Sequence, residues 1–122
     1  MLPSPERYLG AILQTTADGF WVIDNTGRVV EVNEAYCRMS GYTRDEIIGM
    51  SIGDLDADEP VEETAARIER IIGQGTELFE ARHRRKDGTI LPVEISSTYV
   101  DEGGGVFVCF CRDLSERKRT ES

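Results

Sequence analysis

The stretch Gly105-Val106-Phe107-Val108-Cys109-Phe110-Cys111-Arg112, with the run Asp113 to Arg119 behind it, decides how the 122-residue chain is organised. Side chains alternate across a strand, so Phe107, Cys109 and Cys111 share one face and Val106, Val108 and Phe110 the other. Both faces are apolar, which predicts a strand buried on both sides at the centre of its sheet. The sequence then turns to Asp113-Leu114-Ser115-Glu116-Arg117-Lys118-Arg119, a polar run that does not stay in a sheet core. A central strand leading straight into a charged exit is a mechanical connection between the core and the segment beyond the sheet.

Working back from this strand, Asp101 to Gly104 is a flexible turn. Thr76–Arg85 and Thr89–Val100 read as two strands joined by the hairpin turn Lys86-Asp87-Gly88. Before them, Pro60 opens the longest helix, which runs to about Ile72 with Val61, Ala65, Ile68 and Ile72 on one face and Gly73 and Gly75 as its stop. Ser51 to Asp58 reads as irregular and acidic. Thr43 and Glu46 form a capping box for a brief helix, and Asn33 caps another, Glu34 to Met39, ended by Gly41. Phe20-Trp21-Val22-Ile23 is an apolar strand, Asp24 to Gly27 a turn, and Arg28 to Val32 the second strand of a hairpin. At the start, Ser4 and Pro5 open a helix with Tyr8, Leu9, Ile12 and Leu13 in a stripe, able to fold over the outer sheet face or to pair with its copy.

Strands separated by a run of helices predict an α+β fold with an antiparallel sheet. Five strands cannot bury both faces by themselves, so the helices between strands two and three must cover one face and enclose a core or a pocket. The length predicts one domain, and 39% hydrophobic residues supply its core. A net charge of −9 argues against nucleic acid and anionic membrane as partners. Within that balance the basic run Arg82, Arg84, Arg85, Lys86 reads as a solvated strand face. No apolar run approaches the ~20 residues that span a bilayer, and the first residues lack the basic start and apolar centre of a signal peptide. Three cysteines, an odd count, predict free thiols in a reducing cytoplasm.

Four segments together resemble the PAS sensory domains, in the bacterial form followed by a PAC segment. They are Ala17 to Tyr36 (ADGFWVIDNTGRVVEVNEAY), Ser40 to Gly49 (SGYTRDEIIG), Arg84 to Ile95 (RRKDGTILPVEI) and Cys111 to Arg119 (CRDLSERKR). The resemblance implies a five-stranded antiparallel sheet with short helices over one face and a small-molecule pocket between them. It divides the chain into an N-terminal flanking helix (1–17), a PAS core (18–113) and the start of a C-terminal signalling linker (114–122). The exit Asp113 to Arg119 resembles the family's usual lead into a signalling helix that drives a kinase, a cyclic-dinucleotide enzyme or another PAS domain.

The candidate site residues come from strand alternation and that resemblance. His83, the sole histidine, matches the place where flavin-binding relatives turn a polar side chain toward their cofactor; alternation puts Ala81 and His83 inward and Arg82 and Arg84 outward. It reads either as a pocket residue or as a partly exposed strand histidine bonded to a neighbour. Trp21 and Ile23 share the face that the resemblance assigns to the pocket, with Val93, Ile95, Phe107, Cys109 and Cys111. The indole reads as core filling or as a ligand-stacking surface, and either way it shrinks any cavity. Cys109 and Cys111 read as small buried hydrophobes, with no second pair or nearby histidine to complete a metal site. Asp54-Leu55-Asp56-Ala57-Asp58 starts like a calcium loop but has Glu59 and Ala65 where glycine and glutamate belong. Gly103-Gly104-Gly105 has no phosphate-loop context.

Against the family's cofactors, residues 50–59 read MSIGDLDADE, without the cysteine that a photoactive flavin adduct needs, and residues 59–74 hold no histidine for a haem iron. A non-covalent small molecule, or no ligand, stays open. The expectation is a cytoplasmic, non-enzymatic sensory module of a larger histidine kinase or diguanylate cyclase type protein. It would pair as a homodimer, stay clear of direct membrane contact and signal to a covalently linked output domain through Arg112 and Asp113. The alternative is a ligand-free spacer that serves dimerisation only. No acid, base and nucleophile set suggests catalysis.

Overall fold

The computed structural model describes residues 17–58 and 61–115. The predicted N-terminal helix, and the linker beyond Ser115, lie outside the described residues. Strands β1 (Gly19–Asp24) and β2 (Val29–Val32) form the first hairpin; helices α1 (Glu34–Ser40), α2 (Arg44–Ile47), α3 (Ile52–Leu55) and α4 (Val61–Gln74) come next, then β3 (Thr76–Arg84), β4 (Ile90–Val100) and β5 (Val106–Asp113). All pairings are antiparallel, in the order β2-β1-β5-β4-β3. The last strand therefore sits in the middle, as its sequence predicts.

One face of the sheet carries the core. Trp21 and Ile23 face Cys109 and Phe107 in register, and Ile95 and Ser97 face Cys111 and Cys109 from the other side. The opposite face departs from the sequence reading. Val106 and Val108 are only half-buried and Phe110 is 40% exposed, its ring 5.3 Å from that of Phe20. Apolar alternation shows that both faces can be covered; it does not show how fully they are.

The short helices are fixed by their caps. Asn33 Oδ1 accepts the Tyr36 N–H at 3.1 Å and the Phe20 N–H at 3.0 Å, so one side chain starts α1 and ties it to β1. The Thr43–Glu46 capping box forms as predicted. A second box, Ser51 with Asp54, makes a one-turn helix of a segment that reads as irregular. Ser51 also bridges to Arg28 beside one sheet edge, and Asp56 bridges to His83 on the other edge strand. Residues 51–56 thus strap the inner face from edge to edge.

Helix α4 is rotated from its predicted face. Ile71 is buried and Thr64, Arg67 and Ile68 are half-buried, whereas Ala65 is exposed and Ile72 is 48% exposed. The true face hides behind a polar letter: the Arg67 guanidinium lies 3.9 Å from the centre of the Phe79 ring and 3.5 Å from Glu77, with its stem packed inward. Gly73 stays helical, and Gly75, at φ +90°, provides the stop. At the β4–β5 turn a Cβ on Gly105, at φ +93°, would lie 2.5 Å from the Tyr99 hydroxyl oxygen, so only glycine fits.

Arg82, Arg84 and Lys86 of the basic run are exposed on the strand face, as the sequence predicts, and the run is also paired there. Arg82 pairs with Asp58 at 2.8 Å and Lys86 with Glu46 at 2.6 Å. Arg85 donates from Nε to the Met39 carbonyl at the end of α1, at 3.1 Å, and from Nη1 to the Ile90 carbonyl at 2.8 Å. No helix among the described residues is long and apolar enough to cross a membrane.

Candidate functional site

Between the strapped helices and the inner sheet face lies a cavity of about 60 Å³. The sheet contributes Trp21 and Ile23 from β1, Phe107 and Cys109 from β5, Ile95 and Ser97 from β4, and Phe79 and His83 from β3. The helical side contributes Ile52 and Asp56 at the strap and Thr64, Arg67, Ile68 and Ile71 from α4. Trp21, Ile23, His83, Ile95, Phe107 and Cys109 are thus brought together, each on the face that alternation predicts. Val93 and Cys111 are fully buried but lie in the core away from the cavity wall. Ser97 is legible in the sequence, being two residues beyond Ile95 on the same face. The strap and α4 residues are not, because the strap reads as irregular and α4 presents a different face.

Three rings explain why the cavity is small. Trp21 packs against Tyr36 at 4.8 Å and against His83 at 5.5 Å between ring centres. Tyr36 is fully buried, and its ring lies so close over Gly19 that a Cβ there would sit 3.1 Å away. Tyr36 therefore occupies the end of the inner face that Gly19 and Cys111, opposite each other in register, leave open. Sequence reasoning misses it, although its place in the first turn after the Asn33 cap sets its direction.

The Tyr36 hydroxyl is 2.8 Å from Nδ1 of His83, which is 1% exposed. Burial pulls the histidine's pKa down to about 4, against the opposing pull of Asp56, so the ring is neutral at physiological pH. A hydroxyl donating to Nδ1 leaves the ring proton on Nε2. Desolvation also pushes the Tyr36 phenol and the Cys111 thiol far up, and the Cys109 thiol up to about 11 despite its hydrogen bond to Ser97. Thiols that hold their protons this firmly are poor nucleophiles and poor redox sensors. Among the described residues no cluster of histidine, cysteine and carboxylates is placed to hold a metal. The acids of residues 54–58 serve the backbone instead: Asp54 accepts the Ser51 N–H and Asp56 the Asp58 N–H.

A wider groove of about 590 Å³ runs past the outer edge of β3, lined by Asp56, Asp58, Glu63, Glu80 and Arg82 among others. It is open to solvent and rimmed by opposite charges, and it lacks the enclosed apolar wall of a ligand site. The inner cavity has a largely apolar lining but not the size, since small-molecule sites run to about 300–1,000 Å³. A cavity of about 60 Å³ is too small for a flavin or a haem.

At the exit, Asp113 accepts the Ser115 N–H on its carboxylate at 2.8 Å. Leu114, which carries no signal in the sequence, is buried, and its N–H donates to the Pro92 carbonyl at 2.9 Å. Arg112 lies across from Glu94 in register, but no ion pair joins Arg112 to an acid among the described residues.

Comparison with known proteins gives the same architecture a family. The chain is 27% identical, over 98% of its length, to a methyl sulfide methyltransferase-associated sensor of Methanosarcina acetivorans. It is 23% identical, over 95%, to a probable diguanylate cyclase, DgcE, of Escherichia coli. It spans only 12% and 11% of the lengths of these two relatives. A domain of the sensory box sensor histidine kinase/response regulator from Geobacter sulfurreducens superposes with a TM-score of 0.77 at 29% identity, covering 88% of this chain and 93% of that one. With the PAS domain model matching residues 17–116, and with a five-stranded sheet closed on one side by short helices, the chain belongs to the PAS domain family, the sensor modules of larger signalling proteins.

Proposed function

We propose that the domain is the sensory module of a larger cytoplasmic signalling protein of the histidine kinase or diguanylate cyclase type, and that β5 is its transmitting element. One observation carries the reading: the strand whose side chains Phe107 and Cys109 wall the cavity ends at Asp113 and Leu114, which fix the start of the exit. A change in what fills the cavity acts on a central strand held on both sides, and the strand has one free direction in which to pass the change on. Arg112 and Asp113 form the exit of this path. Pairing of two copies is part of the proposal, supported by the half-open outer face of β5 and the exposed Phe110 and Leu78.

The competing reading, a ligand-free spacer, is favoured by the smallness of the cavity. A chimera separates the two. The domain, joined through its exit to the output half of a histidine kinase, is compared with the variant Cys109→Leu, which fills the cavity from β5 at a cost of about 1–3 kcal/mol of overpacking. The sensory reading expects autophosphorylation fixed at a new level while the domain remains folded by circular dichroism. Output identical to the parent chimera leaves the spacer.

A further inference from the structure

The cavity wall holds a donor that the protein does not satisfy. Trp21 is 1% exposed, and its indole Nε1 has no hydrogen-bond partner. A buried N–H left alone is costly, so an unpaired one in a native core calls for a partner that is not part of the chain, a water or a ligand. Cys109, directly opposite Trp21 in register, brings its sulfur near the indole N–H as a weak acceptor, but the contact falls short of hydrogen-bond geometry. The thiol donates its proton to the Ser97 hydroxyl at 3.3 Å, and its sulfur is only a weak acceptor for the indole. The indole's ring neighbours are Tyr36 and His83, and the Tyr36 hydroxyl is turned to Nδ1 of His83. Trp21 lines the cavity, so the space itself is where a partner can reach it, and the other polar walls are His83, Ser97, Thr64, Asp56 and Arg67.

Size limits what can answer it. A volume of about 60 Å³ is far below the roughly 300–1,000 Å³ of ordinary small-molecule sites, so only a compact molecule suits it. The polar groups are few and the rest of the wall is aliphatic or aromatic, which suits a compact molecule with one polar end and one apolar end.

We propose that this cavity is the binding site for a compact oxygen acceptor, a carboxylate or amide of the size of acetate, and that the indole N–H of Trp21 donates to its oxygen. This inference rests on reading the cavity as the sensory site, and it names the class of molecule sensed.

Trp21 is the only tryptophan, so its indole gives a single N–H resonance that reports on the site directly. The uniformly ¹⁵N-labelled domain is titrated with acetate, acetamide, hexanoate and benzoate at constant pH and ionic strength. The expected result is a saturable downfield shift of the indole proton with acetate or acetamide, and none with hexanoate or benzoate. The variant Trp21→Phe keeps the ring and removes the donor, and thermal stabilisation by the same ligand is expected to need at least a tenfold higher concentration. An unmoved resonance with both small ligands would mean that the cavity holds water alone, and would overturn the proposal. Equal stabilisation of Trp21→Phe would overturn the role of the indole. Saturable shifts with hexanoate or benzoate instead would overturn the size class while leaving the sensory reading in place. Conversely, acetate binding with no change in the chimera's output would leave the site and remove its sensory role.

Discussion

Between the unfolded chain and the core, His83 gives up most of its affinity for protons. Its ordinary value of 6.5 falls to about 4 because the charged ring would be buried with no ion to pair it beyond the weak pull of Asp56. The unfolded chain therefore binds a proton that the folded chain refuses between these two values, and stability must fall as pH drops through that window. The contribution is complete above about pH 6.5 and lost below about pH 4, and amounts to about 3 kcal/mol. Urea unfolding at a series of pH values should show this slope in the parent domain and a nearly flat profile between pH 6.5 and 4.5 in His83→Gln. The glutamine can still accept from Tyr36 and has nothing to titrate; an unchanged slope would assign the loss to carboxylates. The inward direction of His83 is legible from alternation alone. Its partner is not, because strand periodicity gives a direction and says nothing of what a helix brings to meet it. Val93 and Cys111 show the same limit: they point inward as alternation predicts, yet Tyr36 and the core stand where the resemblance places the pocket.

At the scale of elements, the strap is held by small caps. Ser51 accepts the Gly53 N–H, and Asp54 accepts the Ser51 N–H in return, so the turn between the two sheet edges is closed by its own side chains. The pattern Ser-Ile-Gly-Asp is in the sequence, but an aspartate in place of the longer glutamate, a glycine inside and further acids behind it read as a loop. The face of α4 is hidden for a related reason, since Arg67 buries its stem and stacks on Phe79 where periodicity looks for an aliphatic residue. The strands and the Thr43 box are legible because a period of two and a standard cap need no tertiary context. Ser51→Ala should lower stability by about 1 kcal/mol, the usual cost of losing such a cap, read as a lower urea midpoint with an unchanged slope. Because Ile52 and Asp56 line the cavity from this strap, the same variant should also broaden or move the Trp21 indole resonance. Thr43→Ala, which removes a cap of the same kind on a helix that does not line the cavity, should cost a similar amount and leave that resonance in place.

For the whole molecule, the order β2-β1-β5-β4-β3 makes the last strand the axis of the sheet, with β1 on one side and β4 on the other. The exit then depends on two anchors of different kinds. Leu114 is buried at 3% exposure and ties its backbone to Pro92 on β4, while the Asp113 carboxylate caps the Ser115 N–H. The abrupt change from an apolar strand to a charged run makes the exit legible; the buried leucine within it is not, since one apolar letter among charges carries no period. The two anchors predict separable effects. Leu114→Ala removes a buried side chain and should destabilise the domain by about 2–5 kcal/mol. Asp113→Ala removes only a cap, at about 1 kcal/mol or less, because the carboxylate is exposed and the sheet does not depend on it. In the kinase chimera, Asp113→Ala should therefore keep the fold and its melting transition within a few degrees while losing the change in output that filling the cavity produces. If Asp113→Ala responds as the parent does, the path does not run through this cap. If instead only Leu114→Ala abolishes the response, at a temperature where that variant is still folded, the packed leucine on β4 is what carries strand movement out of the sheet.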